Sequence, residues 1–141
     1  MYSLSTEHSF DAAHFLAGYN GKCRNIHGHR WRVVVEVQSE KLKEDEQQRE
    51  MCVDFSELKK DLREEVDNFD HAFIIERQSL KEIILGMLRE EGFVVIEVDF
   101  RPTAENFAKY FYGQMKKRNY DVAAVHVYET PNNCATYREQ S

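Results

Sequence analysis

Apolar and polar positions alternate from the start of the chain. Leu4, Thr6, His8, Phe10, Ala12 and His14 share one parity, and Ser3, Ser5, Glu7, Ser9 and Asp11 share the other. A period of two sends successive side chains to opposite faces, so the segment predicts a half-buried antiparallel strand. Ala17-Gly18-Tyr19-Asn20-Gly21 reads as a loop. A second strand runs from about Arg30 to Gln38, with Trp31, Val33, Val35 and Val37 on one face. Glu40 to Glu50 is almost entirely charged or polar and predicts a solvated turn, after which Met51-Cys52-Val53 offers a brief strand.

The period then changes. Asp54 followed by Glu57 is a variant of the capping box, and Phe55, Leu58, Leu62, Val66 and Phe69 form the apolar stripe of a helix ending near Asp67-Asn68. Ser79 and Glu82 repeat the signature ahead of Ile83, Ile84, Met87 and Leu88, with Gly92 as a natural stop, which predicts a helix over Ser79–Glu91. Phe93–Phe100 is β-branched and aromatic, a strand. Pro102-Thr103 opens a third helix running to about Arg118, cored by Phe107, Phe111 and Met115. Asp121–Glu129 is a last strand, broken by Pro131-Asn132-Asn133. No repeat or linker interrupts this order, which predicts one α+β domain over residues 1–141 with a mostly antiparallel sheet.

Composition narrows the function classes. The chain has 141 residues, 42% of them hydrophobic and 31% charged, enough for a real core and against wholesale disorder. No apolar run approaches the ~20 residues of a membrane span. The N-terminus shows no basic-then-apolar leader. A formal charge of -6 argues against a nucleic-acid binder, which needs a basic footprint. Three widely spaced cysteines, Cys23, Cys52 and Cys134, make no disulfide framework, so a cytoplasmic protein is expected. Cys134 has no assignable chemistry and is expected to be buried.

The densest chemistry is Cys23-Arg24-Asn25-Ile26-His27-Gly28-His29, with His14 upstream. Residues two apart on extended backbone point the same way, so His27 and His29 share a side, and Gly28 between them allows the backbone to bend toward a metal. His14 on a neighbouring strand would complete three neutral nitrogen ligands with a position left open, the arrangement of catalytic zinc. Histidines also serve as ordinary hydrogen-bonding residues, and His8, of the same parity as His14, is a rival ligand. Cys23 is either a fourth ligand or a separate thiolate, its flanking Lys22 and Arg24 favouring the ionised form. Asp70-His71 is an acid–imidazole pair suited to proton transfer. Glu129, at the end of the last strand, is by default an ordinary exposed carboxylate.

Taken in order, Phe10-Asp11-Ala12-Ala13-His14, Cys23-x3-His27-Gly28-His29, Val53-Asp54-Phe55-x2-Leu58-Lys59, Phe69-Asp70-His71, Pro102-Thr103-Ala104-Glu105-Asn106 and Val127-Tyr128-Glu129-Thr130 resemble the 6-pyruvoyl-tetrahydropterin synthase and 6-carboxytetrahydropterin synthase family. The resemblance spans about residues 2 to 138. It implies the tunnelling fold, a four-stranded antiparallel sheet with helices on one face. Three such subunits close a twelve-stranded barrel, and two trimers stack into a homohexamer with pterin sites at subunit interfaces. It implies zinc on His14, His27 and His29, with Cys23 as the proton-abstracting thiolate. His71 would be its relay partner, oriented by Asp70. Glu129 would hold the guanidine-like edge of the pterin, and Thr103 lies in a segment that contacts the ring. Lys22, Arg24, Arg30 and Arg32 are candidates to meet the substrate's triphosphate, each equally readable as solubilising charge.

Within the family, the three residues between Cys23 and His27 look like the 6-carboxytetrahydropterin synthases of queuosine (7-deazaguanine) biosynthesis; the 6-pyruvoyl branch typically has a longer spacing. The former convert 7,8-dihydroneopterin triphosphate to 6-carboxy-5,6,7,8-tetrahydropterin, releasing acetaldehyde and triphosphate. The alternatives are the 6-pyruvoyl product of the biopterin pathway and a non-catalytic, zinc-stabilised oligomer, the last disfavoured by Cys23, Asp70, His71 and Glu129 all being present. Two departures stand out. The 26 residues between Ile75 and Pro102 exceed the link in many relatives and hold the extra helix and strand. Ala104 stands where relatives often carry Ser or Thr.

Overall fold

The structure, a computed structural model, describes residues 1–140. Six strands and three helices follow in the order β1 (Tyr2–His14), β2 (His27–Ser39), α1 (Phe55–Asp67), β3 (Ala72–Glu76), α2 (Glu82–Glu90), β4 (Val95–Val98), α3 (Ala104–Lys117), β5 (Val122–Thr130) and β6 (Asn133–Tyr137). The two alternating segments pair along their full lengths, from Tyr2 opposite Ser39 to His14 opposite His27. β5 adds antiparallel to β2, with a bulge at Glu36/Val37, and β6 adds antiparallel to β5. On the other flank β3 joins β1 in parallel at Ala12 and Ala13 alone, and β4 runs parallel to β3. The sheet order is therefore β4-β3-β1-β2-β5-β6.

The antiparallel four-strand unit is thus β1, β2, β5 and β6. Two strands are additional to those read from the sequence. Ala72–Glu76 is only five residues long and carries no alternation, because both its faces are covered. Asn133–Tyr137 follows the turn at Pro131-Asn132 as the second arm of a hairpin. Met51-Cys52-Val53 forms no strand; it turns, with Cys52 buried. Glu40–Glu50 is an exposed turn, as its charge demands, closed by Lys43 and Met51 in a 2.9 Å backbone hydrogen bond. Cys134, expected to be buried, is exposed on edge strand β6.

α1 and α3 cover one face. Asp54 caps α1 by accepting from the Ser56 N–H at 2.8 Å, a contact of about 1 kcal/mol. Leu58, Leu62 and Val66 of α1 and Phe107, Phe111 and Met115 of α3 are fully buried against Phe10, Trp31, Val33 and Val35 of the sheet. Phe10 and Trp31 stack at 5.8 Å, and Phe107 meets both edge-on. Burial of each such side chain is worth about 1.5–3 kcal/mol.

The inserted α2 covers the opposite face. Ile74 points into the main core, while Ile75, of the other parity, packs with Leu85 of α2, Val95 and Phe15 in a second, smaller core. The extra helix is therefore what buries the far side of the β3–β4 extension. It begins later than its sequence signature suggests. Lys81 is its N-cap and makes no side-chain bond, while Ser79 belongs to the turn after β3, where its buried Oγ has no partner. It ends on Gly92, in left-handed backbone at φ +92°. The N–H groups of Gly92 and Phe93 return to the carbonyls of Arg89 and Leu88, a Schellman closure that delays the next strand to Val95.

Candidate active site

One end of the β1–β2–β5 sheet gathers His14, His27, His29 and Glu129, whose ligand atoms all lie within 4.8 Å of one another. Alternation puts His14 beyond Phe10 and Ala12, and His29 beyond Trp31, at the rim of the core-facing side. Trp31 is the floor beneath them, its ring centroid 4.9 Å from that of His14 and 5.4 Å from that of His29. Gly28 was expected to let the backbone bend toward a metal, but it is regular strand, and a Cβ there would make only ordinary contact, 3.6 Å from the Ala12 carbonyl oxygen. Its missing side chain instead leaves open a cleft on the other face.

The imidazoles are oriented through their outer nitrogens. His14 Nδ1 donates to the Pro102 carbonyl and His27 Nδ1 to the Asn25 carbonyl, each at 2.7 Å. A carbonyl oxygen only accepts, so both Nδ1 atoms carry the proton and both Nε2 atoms present lone pairs. These bare nitrogens face each other at 3.1 Å. The Glu129 Oε1 adds a third acceptor, 3.4 Å from His14 Nε2 and 3.0 Å from His29 Nε2. The His29 contact is close but out of line for a hydrogen bond, leaving that nitrogen buried without a partner. Burial pushes the His29 pKa down and so favours the neutral ring.

Converging acceptors repel unless a cation stands among them. Three imidazole nitrogens, two with their second nitrogen fixed by a carbonyl, plus a carboxylate oxygen make a donor set that fits a borderline divalent transition ion. His8 takes no part; its Nε2 lies 2.9 Å from Asp67 at the end of α1.

Cys23 lies in a single 3-10 turn, Lys22–Arg24, within the loop that connects the histidine-bearing ends of β1 and β2. It is half-buried, its carbonyl accepts from the Leu16 N–H at 2.8 Å, and its sulfur does not join the imidazole group. Asp70 and His71 form a second group with Asp11. The Asp11 N–H donates to Asp70 Oδ1 at 2.9 Å, and Asp70 Oδ2 lies 2.9 Å from His71 Nδ1. The Asp11 N–H is the main cause holding the Asp70 carboxyl below its usual range, with the imidazole adding to it. His71 adopts left-handed backbone at φ +57°, unusual for a side chain of this size. The His71 side chain is 78% exposed, and Cys23 is not part of the group around it. Within one chain, then, the dyad and the thiol stay apart.

Thr103 caps α3, accepting from the Asn106 N–H at 3.2 Å, which leaves its O–H free to donate. Arg30 and Arg32 project from the sheet face opposite α1 and α3. Arg30 pairs with Asp11 and Arg32 with Glu7, each at 3.1 Å, and the Arg32 guanidinium lies over the Tyr128 ring at 3.8 Å. Two adjoining clefts of about 430 and 440 Å³ share Gly28, His29 and Arg30; one extends to Arg32, Tyr128 and Glu129, the other to His71. Sequence reasoning did not find the carbonyls of Pro102 and Asn25, nor Asp11 as the anchor of Asp70. Backbone acceptors leave no trace in residue identity.

The family model for 6-pyruvoyl tetrahydropterin synthase matches residues 3–140. A 6-carboxy-5,6,7,8-tetrahydropterin synthase of Haemophilus influenzae is 34% identical over 142 residues, covering 99% of this chain and 100% of that protein. An Aquifex aeolicus protein of the same name is 33% identical over 129 residues, covering 84% and 77%. Among solved structures, an uncharacterized protein of Wolinella succinogenes aligns with a TM-score of 0.77 at 21% identity, covering 99% of this chain and 98% of that one. The Caenorhabditis elegans 6-pyruvoyl tetrahydropterin synthase aligns at 0.68 and 24% identity, covering 99% and 96%. These two structural likenesses show a shared fold.

Proposed function

The chain belongs to the 6-pyruvoyl tetrahydropterin synthase family, and from that premise we propose that it is a zinc-dependent 6-carboxy-5,6,7,8-tetrahydropterin synthase. It is a lyase that converts 7,8-dihydroneopterin triphosphate to 6-carboxytetrahydropterin, acetaldehyde and triphosphate, a step of queuosine biosynthesis. The observation that carries the reading is the near-full-length similarity to synthases of that name, joined to a site where bare imidazole nitrogens converge beside a carboxylate. Cytoplasmic location agrees with this chemistry, and among the described residues no helix is long and apolar enough to cross a membrane.

His14, His27 and His29 would hold the zinc, which when bound polarises the side-chain hydroxyls of the substrate and acidifies the adjoining C–H bonds. The chain's own groups then do the following. Cys23, as thiolate, takes the proton. His71 relays it, its ring oriented by the Asp70 carboxylate, which the Asp11 N–H keeps ionised. Glu129 faces the N–H edge of the pterin with its second oxygen, a charge-assisted contact. Thr103 offers its free O–H to the ring.

The separation of the dyad from the thiol supports a site completed between copies. An imidazole held in left-handed backbone and 78% exposed is well presented to a neighbouring copy. A homohexamer of two stacked trimers supplies that juxtaposition, and barrel closure covers the outer edge of β1, which β3 pairs only at Ala12 and Ala13.

The test is to incubate the zinc-loaded protein with 7,8-dihydroneopterin triphosphate and identify products by mass. 6-Carboxytetrahydropterin with acetaldehyde is expected. A 6-pyruvoyl product without acetaldehyde would move the chain to the other branch, and no turnover by a zinc-replete protein would sink the enzymatic reading.

A further inference from the structure

Twelve residues, 15 to 26, separate His14 from His27 and carry Cys23. Their own hydrogen bonds are mostly internal: Leu16 N–H to the Cys23 carbonyl, Tyr19 N–H to Leu16, Arg24 N–H to Gly21 and Asn25 N–H to Lys22. Among the described residues, and apart from the flanking His27, one side chain from elsewhere in the fold bonds to this loop. That side chain is Arg101, whose NH2 donates to the Ala17 carbonyl at 3.2 Å. Its guanidinium also lies 5.8 Å from the Tyr19 ring centroid.

Arg101 is itself well anchored. Its carbonyl accepts from the Thr103 N–H at 2.7 Å and from the Asn106 Nδ2 at 3.0 Å, tying it to the first turn of α3. The next residue, Pro102, supplies the carbonyl that orients His14. One dipeptide therefore sets a metal-site imidazole through its backbone and grips the thiol-bearing loop through a side chain. The Nε–H of Arg101 is buried with no acceptor. An aliphatic residue filling the same space would avoid that unfavourable group, so packing alone does not account for an arginine here.

We propose that Arg101 is a positioning residue for Cys23. It fixes the loop's entry at Ala17 relative to the Pro102–His14 contact, and thereby holds the thiol at a set place beside the imidazole cluster. The path is short. Ala17 follows Leu16, whose N–H is bonded to the carbonyl of Cys23 itself. With the guanidinium gone, the packing of Phe15 and Ala17 on the smaller core is left to restrain the entry, and the loop loses its one side-chain bond from elsewhere in the fold. The catalytic part of this inference rests on the proposed function; the structural part does not.

The experiment compares wild type with Arg101→Met and Arg101→Lys. The rate of iodoacetamide alkylation at Cys23, followed by mass of its peptide so that Cys52 and Cys134 do not contribute, reports the thiol's placement without any substrate. Zinc content is read in the same samples, and kcat and KM with 7,8-dihydroneopterin triphosphate in parallel. Displacing a reacting group by about 1 Å costs on the order of 10²-fold, so Arg101→Met is expected to lose roughly 10- to 100-fold in kcat with little change in KM. Zinc is expected to stay bound and Cys23 alkylation to change severalfold, roughly. Arg101→Lys, whose ammonium also reaches a carbonyl, recovers part of both.

An alkylation rate in both variants equal to that of wild type overturns the proposal, whatever the activity. Zinc loss in proportion to activity overturns it too, because Arg101 would then act through His14. Should Arg101→Met fail to fold, the charge-retaining Arg101→Lys carries the test alone, with an intermediate alkylation rate expected. A wild type that turns over no substrate while alkylation still responds to Arg101 refutes the enzymatic reading and leaves the positioning intact.

Discussion

His14 and His27 face each other across the last rung of the β1–β2 ladder, Nε2 to Nε2 at 3.1 Å, with each Nδ1 already donating to a backbone carbonyl. Neither ring in its neutral form has a proton to offer the other, so the arrangement is stable with a cation between them. His27→Ala is expected to strip the ion, and chelation of the wild type to lower its melting temperature. At a metal concentration of a hundred times Kd, binding contributes about 2.7 kcal/mol of apparent stability. Metal analysis and thermal melts with and without chelator check this; full zinc retention by His27→Ala would remove the three-histidine site.

Cys23 is outside the imidazole group although only three residues precede His27 after it. The 3-10 turn directs the chain away before β2 begins. Cys23→Ala is therefore expected to keep zinc and assembly size while losing on the order of 10²–10⁴-fold in turnover, the usual contribution of a positioned acid or base. Zinc lost in step with the thiol would make Cys23 a ligand instead.

Asp70 has its carboxyl pKa lowered first by the Asp11 N–H. A depressed folded-state pKa stabilises the fold above the unfolded value of about 3.9, and that stability disappears as pH falls through the folded value. Asp70→Asn is expected to melt lower than wild type at neutral pH, with the gap closing below about pH 4. The gap itself is small, since the side chain is about one-third exposed. Turnover of Asp70→Asn should fall on the order of 10²-fold through loss of the imidazole's orienting partner. Melting curves across pH 3 to 7 decide it: a gap that widens on acidification contradicts the assignment.

Much of this was legible in the residues because it depends on parity. The alternation of Leu4 through His14 and of Trp31 through Val37 sets both the core face and the side on which His14 and His29 emerge. The helix stripes of α1 and α3 were equally plain, and so was the cap at Asp54. What was hidden depends on tertiary cover. β3 has no alternation because α2 buries its second face, so Ile74 and Ile75 are both apolar and both inside. Ser79 and Glu82 have the spacing of a capping box, but the turn at Gln78, in left-handed backbone at φ +67°, takes Ser79 out of the helix. At the site, the three histidines that converge were readable, whereas the carbonyls that orient them and the side chain that grips the Cys23 loop were not. A neutral backbone acceptor carries no sequence signal, and Arg101 looks like any other surface charge.

The remaining question is where the triphosphate lies. Lys22 and Arg24 flank the thiol on the 3-10 turn, while Arg30 and Arg32 line the clefts beside His29 and Gly28. Arg32 is the better prepared of the four. The Tyr128 ring at 3.8 Å and the Glu7 carboxylate at 3.1 Å fix its guanidinium, and contact with Glu7 raises its pKa further, so it is charged at any working pH. An entering polyanion exchanges the Glu7 contact for its own rather than ordering a free side chain. Inorganic tripolyphosphate is therefore expected to inhibit competitively, more weakly as salt rises. Arg32→Met should weaken that inhibition roughly tenfold, the scale of one charge-assisted hydrogen bond, and Arg24→Met much less. Inhibition constants for the two variants decide between the sheet face and the turn: a loss confined to Arg24→Met would put the triphosphate beside Cys23.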